Sequence, residues 1–165
     1  MGKAYLSLGS NQRPEHNLRS AFEALRERFG DVVASVVYRF PAVGFDGADF
    51  LNAAAVIDSD LDPFALNDWL HALEDAHGRD RSGPRFGDRP LDIDIVFYDQ
   101  LVLNGPGHLQ LPRDELKHAF VLKPLAEIAP DFVDPRSGRT LAALWGGSGQ
   151  HAEPCTAAFD PNASR

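Results

Sequence analysis

Residues 91–95 alternate strictly between apolar and acidic side chains, and this alternation constrains the fold more than any other feature of the chain. In a β-strand, successive side chains point to opposite faces, so residues two apart share a face. Asp92 and Asp94 are therefore predicted to stand side by side on a polar face. On the opposite face we expect a buried row that fills the core, formed by Leu91, Ile93, Ile95 and Phe97.

Two carboxylates held this close repel each other unless a cation or a proton lies between them. Residues 79–89 hold four arginines against two aspartates, a local charge of +2 in a chain of net charge -8. Carboxylates suit Mg²⁺ and guanidinium groups suit phosphate oxygens, so the combination indicates a Mg²⁺–nucleotide site. An Asp-x-Asp pair alone is more often a solvated strand face. The basic island favours a local anionic ligand over nucleic acid, which binds to a broad basic surface.

The bulk properties of the chain indicate an ordinary soluble domain. The single cysteine, Cys155, excludes an intrachain disulfide, and no apolar run approaches the roughly 18 to 20 residues of a membrane span. A predicted strand follows Met1 with no apolar leader, so we expect a cytoplasmic protein. We expect one domain over residues 1–145 and a loosely ordered tail over residues 146–165. We also expect a monomer that acts on small molecules, without a nucleic-acid or membrane partner.

The order of predicted elements defines a fold class. Strands are predicted at 3–8, 31–40, 51–57 and 91–98, and helices after Pro14 and after the Asp62-Pro63 start signal. Further helical segments are expected at 116–129 and 141–145. The order is βαββαβ, which is typical of a ferredoxin-like α+β domain. We therefore predict a largely antiparallel sheet with helices packed on it and extra C-terminal elements.

Five short blocks occur in an order and spacing that resemble the 6-hydroxymethyl-7,8-dihydropterin pyrophosphokinase family. They are LGSN at 8–11, FLNAA at 50–54, EDAHGR at 74–79, RPLDIDI at 89–95 and AFVLKPLAEIAP at 119–130. The resemblance extends from residue 4 to about residue 145. It implies transfer of the pyrophosphoryl group of ATP to the pterin hydroxymethyl group, leaving AMP and the pterin diphosphate of folate biosynthesis.

The resemblance also implies roles for individual residues. Asp92 and Asp94 match the ligands of two Mg²⁺ ions, with ATP as co-substrate, and the catalytic set matches Arg79, Arg89, Asp92 and Asp94. Positions that match ATP contacts are His71, Glu74, Arg81, Ile95, Arg113 and His118. Positions that match the pterin pocket are Val43, Phe50, Asn52, Asp92 and Phe120. Phe86 matches a side chain of the lid over the site.

The chain departs from the family pattern at Phe86, where the family usually has tryptophan, and in a segment that is one residue shorter between Pro112 and Phe120. Three further departures involve ionisable side chains. Asp88 places a negative charge beside the phosphate-binding arginines, Arg113 stands where the family commonly has histidine, and His118 stands where it commonly has arginine. These departures motivate an alternative, a catalytically weak paralogue that acts as a nucleotide- or pterin-binding module. A metal-dependent phosphohydrolase on the same fold is a third and weaker hypothesis.

Overall fold

The structure is a computed structural model that describes residues 1–41, 49–78, 90–105, 109–149 and 155–162. Its strands are β1 (Gly2–Ser10), β2 (Val32–Ala34), β3 (Val37–Phe40), β4 (Phe50–Ser59), β5 (Asp92–Tyr98), β6 (Leu103–Asn104), β7 (Gln110–Leu111) and β8 (Thr156–Phe159). Its helices are α1 (Pro14–Phe29), α2 (Pro63–Ala76), α3 (Ala119–Ile128) and α4 (Leu141–Gly146). A 3₁₀ turn, Asp114–Lys117, precedes α3.

The main sheet has the order β5–β1–β4–β3–β8, and β2 also pairs with β4. Every pairing described in this sheet is antiparallel. The βαββαβ order therefore closes into a sheet whose first strand lies between the third and fourth strands of the motif. This arrangement confirms the predicted ferredoxin-like α+β fold with extra C-terminal elements.

The predicted start of α2 is confirmed in its details. The Asp62 carboxylate accepts a hydrogen bond of 2.8 Å from the Ala65 N–H, and Pro63 occupies the first helical turn. Such a cap satisfies one of the N–H groups that a helix start leaves without an internal partner. At the end of α1, Gly30 has a φ of 85°, a backbone conformation that glycine adopts without steric penalty. Within the described ranges, no helix has the length and apolar character needed to cross a membrane.

The sheet separates two apolar clusters because alternate residues of each strand face opposite sides. One cluster lies under α1 and α2 and includes Leu6, Leu8, Phe22, Leu66 and Ile93. The second lies under α3 and α4 and is built from fewer residues, with Tyr5, Val56, Phe97, Val121 and Leu125 among them. This second face of the sheet also carries polar side chains, among them Asp92, Asp94 and Asn52, so it is the face on which a site can form.

A register shift in β5 overturns part of the predicted core pattern. Leu91, Ile93 and Ile95 belong to the cluster under α1 and α2, as predicted, but Phe97 belongs to the cluster on the opposite face. The pairing with β1 is irregular at this point, because Tyr5 pairs with Phe97 whereas Leu6 pairs with Ile95. One extra residue in the strand reverses the alternation beyond it.

Two predicted elements are interrupted. The strand expected at 31–40 divides into β2 and β3, because the buried Ser35 hydroxyl accepts the Ala54 N–H at 2.8 Å. The helix expected at 116–129 begins only at Ala119, because His118 is extended, with φ -83° and ψ 143°. In both cases the apolar pattern of the sequence continues across a point at which the backbone changes direction and ends the element.

The structure describes residues 146–149 and 155–162 of the segment expected to be a loose tail. Within it, β8 pairs with β3 and extends the sheet. The Phe159 ring packs against the core cluster and lies 4.2 Å from the Arg19 guanidinium carbon, and the Asn162 amide donates to the Ala34 carbonyl at 2.9 Å. The strand is short and flanked by polar residues, so its sequence has no distinctive pattern.

If β8 is a stable part of the sheet, Phe159→Ala should lower the free energy of unfolding by about 1 to 2 kcal/mol, since the ring is partly buried. Urea denaturation measures this change. Phe64→Ala is the matched control, because that ring is 41% exposed and should lose less than about 1 kcal/mol. An unchanged Phe159→Ala midpoint would show that the tail adds nothing to stability.

Candidate active site

The strand register aligns four residues in one row across the sheet. Gly9 of β1 pairs with Asp92 of β5 on one side and with Asn52 of β4 on the other, and Asn52 pairs with Tyr38 of β3. With strands about 4.8 Å apart, the Asp92 and Asn52 backbones are separated by about 10 Å. Gly9, which has no side chain, thus lies between the strand that carries Asp92 and the strand that carries Asn52.

Gly9 gives the Asn52 side chain the space that it occupies. A Cβ atom at position 9 would lie only 2.7 Å from Asn52 Nδ2. The Asn52 side chain is buried, with 6% exposure, and its Oδ1 has no hydrogen-bond partner in the described part of the chain. A buried acceptor without a donor is unfavourable, and it is suited to a ligand that carries an N–H group.

The Asp92 carboxylate repels the negative charge of Asp94. Burial of the Asp94 carboxyl, together with repulsion from Asp92, raises its pKa to about 8, although the Arg113 guanidinium acts in the opposite direction. The Arg113 Nη2 atom lies 3.6 Å from Asp94 Oδ1. A carboxyl group with this environment gains from a nearby cation, which would favour its ionised form.

Arg113 is held against the sheet by its own backbone. Its N–H donates to the Val96 carbonyl of β5 at 3.2 Å, and its Nε lies 3.2 Å from Glu115 Oε2. Burial disfavours the charged guanidinium, but Asp94 and Glu115 outweigh that effect and raise the Arg113 pKa. The structure therefore brings the predicted residue Arg113 directly to the aspartate pair.

Glu74 and His71 lie on α2, and Glu74 contacts the aspartate strand. The Glu74 side chain is 1% exposed, and its Oε2 accepts the Ile93 N–H at 2.7 Å. Because β5 is the edge strand, Glu74 supplies the acceptor that a further strand would otherwise supply. His71 is half-buried three residues earlier, on the same side of the helix.

Aromatic side chains lie at the start of α3. The His118 and Phe120 rings stack at 5.0 Å with an interplanar angle of 10°, and the Phe40 ring meets Phe120 edge-on at 6.4 Å. Phe50 pairs with Phe40 across β3 and β4. Phe50 also shares the Asn52 face of β4, being two residues before it. The predicted pterin residues Phe50, Asn52 and Phe120 therefore belong to the side of the sheet that carries α3.

Some predicted site residues are not brought to this group. The Ile95 side chain is fully buried in the cluster under α1 and α2, on the face opposite the aspartates. The predicted contact between Ile95 and ATP stays a prediction, and it would have to be made by the Ile95 backbone. This outcome follows from the alternation of β5. Five further predicted residues lie outside the described ranges, namely Val43, Arg79, Arg81, Phe86 and Arg89.

The aspartate pair fits a Mg²⁺ ion that shares its ligands with a substrate. In the described part of the chain, no group of three or more His, Cys, Asp or Glu side chains is placed to hold a metal ion by itself. Mg²⁺ usually takes one or two carboxylates together with substrate phosphates and water. Two carboxylates on one face of a strand match that pattern. They are too few to form a structural metal site that protein ligands enclose.

A cavity of about 550 Å³ lies beside Arg113, between the 3₁₀ turn, α3 and α4. Its basic lining residues are Arg113, Lys117, Arg136 and Arg139. Arg136 forms an ion pair of 3.4 Å with Asp114, and Arg139 donates to the Ala143 carbonyl at 3.3 Å. Asp92, Asn52 and Phe120 are not among its lining residues, so among the described residues this cavity shares only Arg113 with the predicted site.

Two further residues shape this region, and neither is a predicted site residue. Gly9 was part of a matched block, but its role as the spacer between Asp92 and Asn52 depends on strand register. Asn17 is buried on α1, with 8% exposure. The signal for Asn17 was its position four residues before the core residue Ala21, a polar side chain on an otherwise apolar helix face.

Together, the fold and the site define a ferredoxin-like α+β protein with a Mg²⁺-compatible acidic strand beside an amide and aromatic group. The chain belongs to the family described as 7,8-dihydro-6-hydroxymethylpterin-pyrophosphokinase, whose model matches residues 5–130.

Two relatives illustrate the similarity. The 2-amino-4-hydroxy-6-hydroxymethyldihydropteridine pyrophosphokinase of Methylorubrum extorquens is 43% identical over 138 residues, which cover 81% of this chain and 86% of that protein. The enzyme of the same name from Synechocystis is 39% identical over 145 residues, which cover 86% of this chain and 73% of that protein.

A solved structure shares the fold at low sequence identity. The wild-type HPPK-DHPS chain of Plasmodium falciparum matches with a TM-score of 0.67 and 13% identity. The match covers 88% of this chain and 44% of that longer chain, so this chain spans less than half of it. At this identity the likeness supports the fold alone.

Asp94 should make stability depend on pH in metal-free buffer. Its folded pKa of about 8 lies above the value of about 3.9 in an unfolded chain, so the folded state binds more protons between these values. Stability from this group is therefore lost as pH rises from 4 to 8, by roughly 0.5 to 1 kcal/mol per pH unit at a side chain that remains 29% exposed.

Urea denaturation with a chelator at pH 5, 6, 7 and 8 measures this dependence. The slope should be reduced in Asp94→Asn, because the amide does not ionise. Asp58→Asn, at a side chain with 61% exposure, should keep the slope. Equal slopes in Asp94→Asn and the unmodified chain would contradict the assignment.

Proposed function

We propose that this chain transfers the pyrophosphoryl group of ATP to 6-hydroxymethyl-7,8-dihydropterin and releases AMP and the pterin diphosphate. The observation that carries the proposal is the row in which Asp92, Gly9 and Asn52 are aligned, with Arg113 bound to Asp94. Membership in the pyrophosphokinase family supports the same reaction, and the relatives' names support a place in the synthesis of folate precursors.

The reaction joins the hydroxymethyl oxygen to the β-phosphorus of ATP. The bond from that phosphorus to the α,β-bridging oxygen breaks, AMP takes the bond's electron pair, and the hydroxyl proton is released. Such transfers depend on positioning and on neutralisation of phosphate charge more than on covalent catalysis. The chain contributes the edge strand β5, which would hold the charged groups on one side of the pocket for the pterin.

Asp92 and Asp94 would hold Mg²⁺, and we propose two ions bound jointly with the ATP phosphates. The ions would neutralise phosphate charge and orient the triphosphate for displacement. Arg113 lies close enough to Asp94 to contribute a positive charge at the same place. Arg79 and Arg89, outside the described ranges, are proposed as further phosphate ligands on the basis of the family match.

The pterin would lie on the Asn52 side of the row. The unsatisfied Asn52 Oδ1 can accept a hydrogen bond from the heterocycle's edge, and the amide also offers donors. Phe50 and Phe120 would pack on the ring faces, and Phe40 extends the apolar wall next to Phe120. His118, stacked on Phe120, is proposed to lie at the boundary between pterin and nucleotide.

The remaining proposals concern the protein as a whole. We propose a cytoplasmic monomer whose catalytic domain covers residues 1–145. The relationship of residues 146–165 to that domain is tested by the Phe159→Ala experiment. Glu74, His71 and Arg81 are proposed to act on the nucleotide side of the site, Glu74 through the backbone of β5.

Incubation with ATP, Mg²⁺ and the reduced pterin should yield AMP, as measured by chromatography, and a chelator should abolish its formation. Asp94→Ala should lower kcat by about 1000-fold, because it removes a carboxylate that would bind the metal. Asp58→Ala, on an exposed part of β4, is the control and should retain activity.

The products also separate the competing functions. Ligand binding by calorimetry without AMP would indicate the catalytically weak binding module. Orthophosphate or pyrophosphate released without pterin would indicate a phosphohydrolase. Release of ADP in place of AMP would contradict pyrophosphoryl transfer.

Asn52→Ala should raise KM for the pterin by about 10-fold or more, because it removes the amide that recognises the heterocycle. KM for ATP should change less than about twofold, since the phosphates are proposed to lie on the aspartate side of the row. Asn104→Ala, an exposed amide in β6, is the control. Equal effects of Asn52→Ala on both KM values would contradict the division of the site.

A further inference from the structure

Just before β5 begins, a backbone carbonyl accepts hydrogen bonds from two side-chain donors. The Pro90 carbonyl accepts the Ser10 hydroxyl at 2.5 Å and the Asn17 amide at 3.0 Å. Ser10 is the last residue of β1 and Asn17 lies in the first turns of α1. Pro90 is two residues before Asp92, so this point of attachment is next to the carboxylate proposed to bind metal.

Both donors are buried. The Ser10 hydroxyl has one proton to donate, and the Pro90 carbonyl at 2.5 Å is a closer acceptor than the Gln12 carbonyl at 3.1 Å. Ser10 is 0% exposed and Asn17 is 8% exposed. The amide uses its second N–H for the Gln12 carbonyl at 2.6 Å, which ties it to the turn between β1 and α1. Proline lacks an N–H, so its carbonyl is the only backbone group through which residue 90 can be held by hydrogen bonds.

The two donors exceed what stability alone requires. One hydrogen bond satisfies a buried carbonyl, and losing its only partner would be unfavourable by about 1 to 3 kcal/mol. A second donor from a different element adds less to stability, but it fixes the direction of the carbonyl. The direction of this peptide group in turn determines where the following residues begin the strand.

The backbone is held on the other side of Asp92 as well. Glu74 accepts the Ile93 N–H at 2.7 Å, and Gly9 pairs directly with Asp92. Three elements (the end of β1, α1 and α2) thus contact the main chain within two residues of Asp92. Ser10 and Asn17 act on the N-terminal side of this aspartate.

We propose that Ser10 and Asn17 are positioning residues, which set the place of the Asp92 carboxylate by holding the Pro90 carbonyl. This inference rests on the proposed function, because Asp92 is taken to share Mg²⁺ with the nucleotide. Neither residue contacts the substrates. Their loss changes the rate and the dependence on Mg²⁺, and leaves recognition of the pterin intact.

Two variants remove one donor each. Ser10→Ala deletes the hydroxyl with little change in volume, and Asn17→Asp keeps the side-chain shape but replaces the donating NH₂ with an oxygen. The matched control is Ser59→Ala. Ser59 is also a buried serine, with 0% exposure, and it bonds to the Leu61 backbone at 3.0 Å. It pairs with Gly2, at the opposite end of β1 from Ser10.

Kinetics are measured with each variant's folded fraction above 95% by circular dichroism, at about 20 °C below its melting temperature. Ser10→Ala and Asn17→Asp should lower kcat by about 10-fold and raise the Mg²⁺ concentration for half-maximal rate by about fivefold. KM for the pterin should stay within about twofold. Ser59→Ala should lose stability but keep the unmodified values of all three quantities.

A second measurement does not depend on turnover. Calorimetric titration with a non-hydrolysable ATP analogue at several Mg²⁺ concentrations should show weaker Mg²⁺-dependent binding for Ser10→Ala and Asn17→Asp, by about fivefold. An unmodified chain that forms no AMP refutes the proposed function, and the titration then tests the positioning role by itself. Kinetic and binding values equal to those of Ser59→Ala would refute the positioning role.

Discussion

The pairing of β1 with both of its neighbours is the constraint on which the rest of the structure depends. All nine residues of β1 pair with β4, and six of them pair with β5. A slip of one residue in either pairing would move every side chain of the partner strand to the opposite face. Leu6 and Leu8, both fully buried, therefore fix the positions of Asp92 and Asn52 by resisting such a slip.

The same register concentrates negative charge at one edge of the sheet. Asp92, Asp94 and Glu74 lie on or against β5, and Arg113 is the cation that the described structure places next to them. The carboxylates remain close because their backbone is held by the apolar side of the strand. The apolar core thus holds together a group of carboxyl groups that would otherwise repel each other, and the proposed Mg²⁺ ions would neutralise them further.

Local signals in the sequence were sufficient for much of the fold and for part of the site. Alternation identified the two faces of β4 and the first half of β5, and the Asp62 cap marked the start of α2. The change of face at Phe97 could not be predicted, because a bulge depends on the partner strand. Asn17 acquires its role from a carbonyl 73 residues away, which no periodicity indicates.

The bulge divides β5 into two segments that present different side chains to the face covered by α3 and α4. Up to Ile95, the residues opposite the core are acidic; after it, Val96 and Phe97 join the apolar cluster under α3 and α4. Asp92, Asp94, Val96 and Phe97 therefore share one face of the sheet, although Val96 and Phe97 are neighbours in the chain. The acidic pair is thus continuous along the strand with the apolar cluster that α3 and α4 cover.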